Sequence, residues 1–330
     1  MPERYVQIIR AHRASRRGLV ALGALSLAAI PAGIVAAQAR APAPFTIDGT
    51  GMDFATLQQA VSRIGTGSGT IRIAPGVYRQ CAVQEGGDVA YVAAEPGQVV
   101  FDGVTCEGKA ALVLRGRSAR VTGIIFQNLR VPDGNGAGIR LEHGDLGVSQ
   151  SWFRDSEEGI LTGDDTAHQV LVEKSTFTRL GRCDRGLSCA HSIYTGNYGM
   201  LTVRQSRFEQ GTGGHYVKSR AGHVDIEDNS FDDSHGHATN YMIDLPEGAT
   251  GRISSNWFVQ GQDKENYSTF IAVGAEGHTH SANGLLVEDN DARLAPGVDR
   301  NTVFVSDWTG DDITLQGNRL GIGLKARDRR

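Results

Sequence analysis

The sequence predicts an all-β chain wound into a solenoid of stacked parallel coils, with one short helix at its N-terminal end. Three observations carry this expectation. First, one unit recurs: an aliphatic residue, then Ser or Asn three places on, then an aromatic or aliphatic residue five places on. It reads VSQSWF from Val148, VEKSTF from Val172, VRQSRF from Val203, IEDNSF from Ile226 and ISSNWF from Ile253, with weaker copies from Ile124, Val287 and Leu315. Second, the anchors from Ile124 onward are 24, 24, 31, 23, 27, 34 and 28 residues apart, so a coil of fixed minimum size takes up inserted loops. Third, Gly is abundant at 43 residues and aromatics make up only 7% of the chain, a composition of short strands and tight turns rather than packed helices.

Taken in order, residues 1–39 carry five Arg and one Glu, and Arg10, Arg13, Arg16 and Arg17 lead into an uncharged apolar run over residues 19–37. A basic start, an apolar centre and Ala37-Gln38-Ala39 as a small-x-small site are the parts of a cleaved export signal. Ser15-Arg16-Arg17-Gly18-Leu19 resembles a twin-arginine signal, the class that exports folded proteins. No other stretch has the length and apolarity of a membrane span, so none is expected once the signal is removed. Residues 40–52, opening on a Pro-rich stretch, read as a linker. Residues 53–65 place Phe54, Leu57, Ala60, Val61 and Ile64 at helical spacing, with Asp53 or Thr50 as candidate N-cap. Residues 66–322 are expected to form the parallel coils, and residues 323–330 a basic tail.

Beyond residue 39 there remain 28 basic and 36 acidic residues. Such a surface argues against non-specific nucleic-acid binding, so a polyanionic ligand needs a local basic patch. In an exported chain the four cysteines, Cys81, Cys106, Cys183 and Cys189, read as disulfides. Cys81 and Cys106 lie about one repeat apart and fall on neighbouring coils, while Cys183 and Cys189 close a short loop.

The Ser and Asn column, Ser151, Ser175, Ser206, Asn229, Asn256, Asn290 and Asn318, suits hydrogen bonds running up the stack at a repeated sharp turn, where Asn tolerates left-handed backbone. With that column, the export signal, the segment DFATLQQAV and the following GTIRIAPGVYRQ, the chain resembles a right-handed parallel β-helix of the pectate-lyase-like superfamily over roughly residues 45–320. The resemblance implies the fold. The superfamily holds pectate and alginate lyases, uronan epimerases, polygalacturonases, pectin methylesterases and non-catalytic binding proteins, so the chemistry has to come from the site.

About ten residues before each anchor lies a second strand, with buried residues Ile139, Ile160, Ile193, Val217, Ile243 and Ile271. Side chains alternate along a strand, so the next residues, Arg140, Leu161, Tyr194, Lys218, Asp244 and Ala272, are expected to point outward. Polar members concentrate on three consecutive coils. In residues 213–221, GGHYVKSRA, alternation places Tyr216, Lys218 and Arg220 on one side, with Tyr194 and Asp244 on the flanking coils about 4.8 Å away.

That cluster suits removal of the proton beside a uronate carboxylate, which needs a base, a cation for the enolate-like intermediate and, for chain cleavage, an acid. Lys218 is the expected base, its pKa lowered by neighbouring Arg220; Arg220 pairs with the carboxylate and Tyr194 donates the proton. Asp244, Tyr216, Arg140 and Tyr241 are expected to bind substrate. His191 and His215 fall two places before the buried column, so strict alternation turns them inward; a bend there would make either a general base.

The resemblance implies a basic residue on such a strand in alginate and related lyases, matching Lys218 and Arg220 in type, and calcium in many of them, for which no acidic site is assigned here. No cofactor or metal is expected. Gly163-Asp164-Asp165 is similar to one polygalacturonase motif, but its companion motifs are missing. A hydrolase would need two carboxylates across a bond, such as Asp244 and Glu158. His235-x-His237 and His278-x-His280 are two pairs of metal-ligating type, but they fall in loops rich in Gly, Ser and Thr and read first as solvated residues. The expectation is therefore a monomeric, periplasmic or secreted protein whose partner is an acidic polysaccharide, acting as a lyase or epimerase. The alternatives are a non-catalytic glycan-binding β-helix and a glycoside hydrolase.

Overall fold

A computed structural model describes residues 43–330. The expected export signal over residues 1–39 lies outside the described residues. Each coil adds one strand to each of three parallel faces, giving a right-handed β-helix of about nine turns. In one coil Asp145–Ser149 lies on face 1, Trp152–Arg154 on face 2 and Glu158–Thr162 on face 3. Among the described residues, twelve strands form face 1 and ten form each of the others.

The helix is Leu57–Ile64, shorter than the expected 53–65. Its N-cap is Thr56, not Asp53 or Thr50: the Thr56 side chain accepts from the Gln59 backbone while Gln59 reaches back to the Thr56 N–H. Asp53 instead belongs to strand Met52–Phe54, antiparallel to Phe45–Ile47, so the expected linker holds part of face 1. The helix lays Leu57, Ala60 and Val61 over the first coil. Gln58 both donates to the Val83 carbonyl and accepts from the Val83 N–H, so its amide pairs the exposed edge of strand Ala82–Gln84. At the far end the expected tail contains strand Leu324–Arg329, paired with Thr302–Asp307 as the last strand of face 3.

Two ladders fill the interior between faces 1 and 2. Phe101, Phe126, Phe153, Phe177, Phe208, Phe231 and Phe258 stack with centroids 4.8–5.8 Å apart. Beside them the Ser and Asn column bonds from coil to coil: the Ser151 N–H donates to Ser175 Oγ, Ser206 to Asn229 Oδ1, Asn229 to Asn256 and Asn256 to Asn290. The left-handed residue is not the Asn itself but the one before it, with φ between 49° and 55° at Gln150, Lys174, Gln205, Asp228, Ser255 and Asp289. The column's side chains supply acceptors that this tight corner would otherwise leave its backbone N–H groups without. Both disulfides are formed, Cys81–Cys106 joining the approaches to paired face 3 strands and Cys183–Cys189 closing its loop.

Candidate functional site

Face 3 carries the site because its strands stack in strict register: Leu161, Tyr194, Lys218, Asp244 and Ala272 are successive partners. The strand Val217–Ser219 is entered by two consecutive inward residues, Tyr216 and Val217, and the same doubling recurs as Met242-Ile243 and Phe270-Ile271. This breaks the alternation. Tyr216 is therefore buried, 2% exposed, with its hydroxyl donated to Asp233 at 2.7 Å, and it cannot bind substrate as expected. Its predecessor points outward in its place. The His215 ring lies against Tyr241 at 5.3 Å and against His191 at 5.0 Å, and His191 meets Tyr194 edge-on at 5.3 Å. The two histidines thus join the outer row instead of facing inward.

Lys218 Nζ donates to Asp244 Oδ2 at 2.8 Å and to Glu276 Oε1 at 2.5 Å. Arg220 Nε donates to the Tyr194 hydroxyl at 2.9 Å, while its two terminal nitrogens pair with Glu247 and Glu276. The Glu276 carboxylate accordingly bridges both cations. Burial would lower the Lys218 pKa, but Asp244 and Glu276 outweigh it and raise the value. The expected lowering by Arg220 does not occur, so Lys218 is a charged ammonium and not the base. Burial also pushes Glu276 upward, and the two cations overcome it, holding the carboxylate ionised.

His215 behaves oppositely. Burial lowers its pKa to about 4, against a weaker opposing pull from Asp244, whose Oδ2 lies 3.4 Å from Nε2. His191 is lowered well below the usual value by burial and then by the charges of His215, Lys218 and Arg220. Its Nδ1 accepts the His215 backbone N–H at 3.0 Å, which places its ring hydrogen on Nε2. Both imidazoles are neutral at neutral pH. Asp244, 2% exposed, holds Lys218 rather than presenting itself to a ligand. Tyr241 continues the row, its hydroxyl accepting from Asn266. Arg140 does not join the cluster: three coils from Lys218, it lies beside Glu142, at 3.9 Å, and Glu158.

Two glutamates escaped sequence reasoning. Glu247 follows the strand Ile243–Leu245, and Glu276 sits in the inserted loop after Thr269–Val273. That loop folds back over the site. The Glu276 N–H bonds the Pro246 carbonyl, Thr279 reaches Glu247, and His280 Nε2 meets Asn197 Oδ1 at 3.0 Å, three coils away. No periodic signal marks these residues, because they lie where the repeat is interrupted.

The hydrolase pair does not assemble. Glu158 is 1% exposed with neither oxygen hydrogen-bonded, and burial raises its pKa well above the carboxylate range. A groove of about 950 Å³ opens elsewhere, between faces 2 and 3, lined by Arg179, Arg182 and Arg185 among others. Each of these is already paired, with Asp155, Asp184 and Glu157 respectively. His237 pairs with Asp263 and His280 with Asn197, so the two His-x-His segments do not converge. For calcium, Asp244, Glu247 and Glu276 are already neutralised by Lys218 and Arg220; among the described residues the group with metal-ligand spacing is His143, Asp165 and His168.

No family model matches the chain, and no curated protein matches it. Among solved structures it is similar to ORF18 of Geobacillus virus E2, at 14% identity and TM-score 0.51, over 86% of this chain and 58% of that one. It is also similar to the PL6 family alginate lyase AlyGC, at 14% identity and TM-score 0.38, over 82% of this chain and 49% of that one. A third is the catalytic unit of a thermostable GH87 α-1,3-glucanase from Streptomyces thermodiastaticus strain HF3-3, at 12% identity and TM-score 0.38, over 85% and 68%. This chain thus spans about half the length of the first two, at 58% and 49%. Together with its own strand order, the first likeness establishes fold alone: the chain is a right-handed parallel β-helix protein.

Proposed function

We propose that this chain is an exported carbohydrate-active protein that seats a uronate carboxylate of an acidic polysaccharide on face 3 and removes the adjacent C5 proton, as a lyase or epimerase. One observation carries the reading: Lys218 and Arg220 converge on a single carboxylate, that of Glu276, which is 46% exposed and comes from a loop outside the coils. Two cations, one on strand Val217–Ser219 and one just past its end, closing on one half-exposed loop carboxylate form a seat that a sugar carboxylate can occupy in its place.

Within that seat the roles follow from charge state. Lys218 and Arg220 neutralise the substrate carboxylate, which acidifies the C5 hydrogen and stabilises the enolate-like intermediate. Neutral His215 has the lone pair that Lys218 lacks and takes the proton. Electrons of the C5–H bond form the new double bond as the C4–O bond breaks, and the Tyr194 hydroxyl protonates the departing oxygen. In an epimerase the same hydroxyl returns a proton to C5 instead. Arg220, bonded to the Tyr194 oxygen, stabilises the phenolate that results. The disulfides fit an oxidising compartment. The placement of Tyr194 on the same face, bonded to Arg220, supports the reading, which draws on no neighbour's activity.

The test is to incubate the protein with alginate, pectate, glucuronan and glycosaminoglycans while following ultraviolet absorbance of the unsaturated uronate and, separately, sugar stereochemistry. Arg220→Gln is expected to cut turnover by roughly 10²-fold or more, as loss of a charge-stabilising donor does. Binding without turnover or epimerisation would transfer the site to the non-catalytic, glycan-binding reading. Absence of both binding and turnover across these polymers overturns the uronate reading itself.

A further inference from the structure

We propose a transition-metal site, best matched to Zn²⁺, at the corner between faces 3 and 1, built from His143, Asp165 and His168. It is independent of the carboxylate seat. His143 Nδ1 lies 2.7 Å and His168 Nδ1 2.8 Å from the same oxygen, Asp165 Oδ2, and all three donor atoms fall within 4.8 Å of one another. The two imidazole rings meet edge to face at 4.9 Å.

The chain makes this corner by an irregularity. His143 occupies the turn of one coil, followed by Gly144 in left-handed backbone at φ 86°, where a Cβ would collide with the Gly116 carbonyl at 2.1 Å. On the next coil the register of strand Asp165–Glu173 slips between Asp165 and Gln169, so residues 166–168 bulge outward and bring His168 beside His143. Asp165 is fixed from behind, its Oδ2 accepting the Gly144 N–H at 3.1 Å and its Oδ1 the Ala167 N–H at 3.3 Å. Backbone donors of this kind orient a ligating carboxylate before any ion arrives.

Ligand chemistry selects the metal. Two imidazole nitrogens and one carboxylate oxygen suit Zn²⁺ and its borderline neighbours, whereas Ca²⁺ takes six to eight oxygens. With metal–ligand bonds near 2.0–2.1 Å, a tetrahedron sets its donors about 3.3 Å apart. The nitrogen–oxygen separations here must widen by about half an ångström. His143, 56% exposed on a turn, has the freedom to do so, and its open side leaves the fourth position to water. The ion would take the place of the ring hydrogen that His168 now donates to Asp165 and would clamp adjacent coils together.

The test uses the mature protein stripped with a chelator and dialysed, titrated calorimetrically with ZnCl₂ and with CaCl₂. We expect one Zn²⁺ per chain, no Ca²⁺ at this corner, a raised thermal midpoint with Zn²⁺, and visible d–d absorption of a four-coordinate site with Co²⁺. His143→Gln and His168→Gln should each weaken Zn²⁺ binding by about tenfold or more, while His237→Gln leaves it unchanged. Thermal midpoints measured without metal report whether each variant folds; should one fail to, metal-induced shifts of the His143 and His168 ring resonances in the unsubstituted protein decide the matter. Absence of stoichiometric Zn²⁺, affinity retained in the folded His143→Gln and His168→Gln variants, or ring resonances unmoved by the metal overturns the site. None of these results bears on turnover of uronate polymers, so either reading can fail alone.

Discussion

Lys218 shows how one residue's charge state depends on atoms the local sequence does not contain. Residues 213–221 put Arg220 two places away and suggest repulsion, yet Asp244 and Glu276, 26 and 58 residues distant, set the outcome. Asp244 was legible because the repeat aligned it with Lys218; Glu276 was not, because it lies in an insertion. Tyr216 departs from the sequence expectation for a different reason. Counting by twos assumes a strand from end to end, and the paired inward residues at its entry shift the phase by one.

The same phase shift makes acid sensitivity a test of the histidines. Folding lowers the His215 pKa from 6.5 to about 4, so between these values the unfolded chain binds a proton that the folded chain refuses. Stability is then full above about pH 6.5 and falls as pH drops toward 4, by roughly 3 kcal/mol from this group. His191, lowered in the same direction, adds to the loss. Denaturant unfolding from pH 7 to pH 4.5 should show this decline, and His215→Gln should flatten it. A decline of equal slope in the variant would place the titration elsewhere. If His215 is the base, the acid limb of kcat/KM falls near pH 4, not near the ordinary value of histidine.

At the scale of elements, the corner between faces 1 and 2 is the most legible part of the chain. The recurring Ser and Asn were visible without structure, because a hydrogen-bonded column demands the same residue types once per coil. What remained hidden was the division of labour: one residue takes the left-handed backbone and the next supplies the acceptor. Asn256 accepts from both the N–H and the side chain of Asn229 and donates to the Ile226 carbonyl, all in the interior. Asn256→Ala should therefore cost about 3 kcal/mol in chemical unfolding, since it leaves buried partners unpaired. Asn256→Ser should cost less, because Ser151, Ser175 and Ser206 serve in the same column through Oγ. Equal losses for the two variants would mean that volume, not the missing acceptor, matters there.

For the whole molecule, the solenoid itself was readable because each coil repeats one pattern, and an error in any single unit is corrected by the others. The ends were less so. Terminal strands Phe45–Ile47 and Leu324–Arg329 lie outside the repeat, where pairing partners, rather than local pattern, determine that they are strands. The site shares that property: face 3 supplies the cations in periodic order, while the loop that covers them is an exception to the period.

On the proposed uronate reading, that covering loop makes Glu276 a tethered competitor. A carboxylate attached to its own receptor acts at an effective concentration on the order of millimolar or above, which any soluble sugar acid must exceed. A single uronate unit would lose that contest, whereas a long polymer, able to hold neighbouring coils while one of its many carboxylates exchanges for Glu276, would win it. The protein should then discriminate by chain length without measuring length. Binding isotherms for an oligouronate series should rise steeply with the number of units, and Glu276→Gln should flatten that rise by admitting short oligomers. If the variant and the unsubstituted protein bind short and long chains in the same ratio, the glutamate is only a strut.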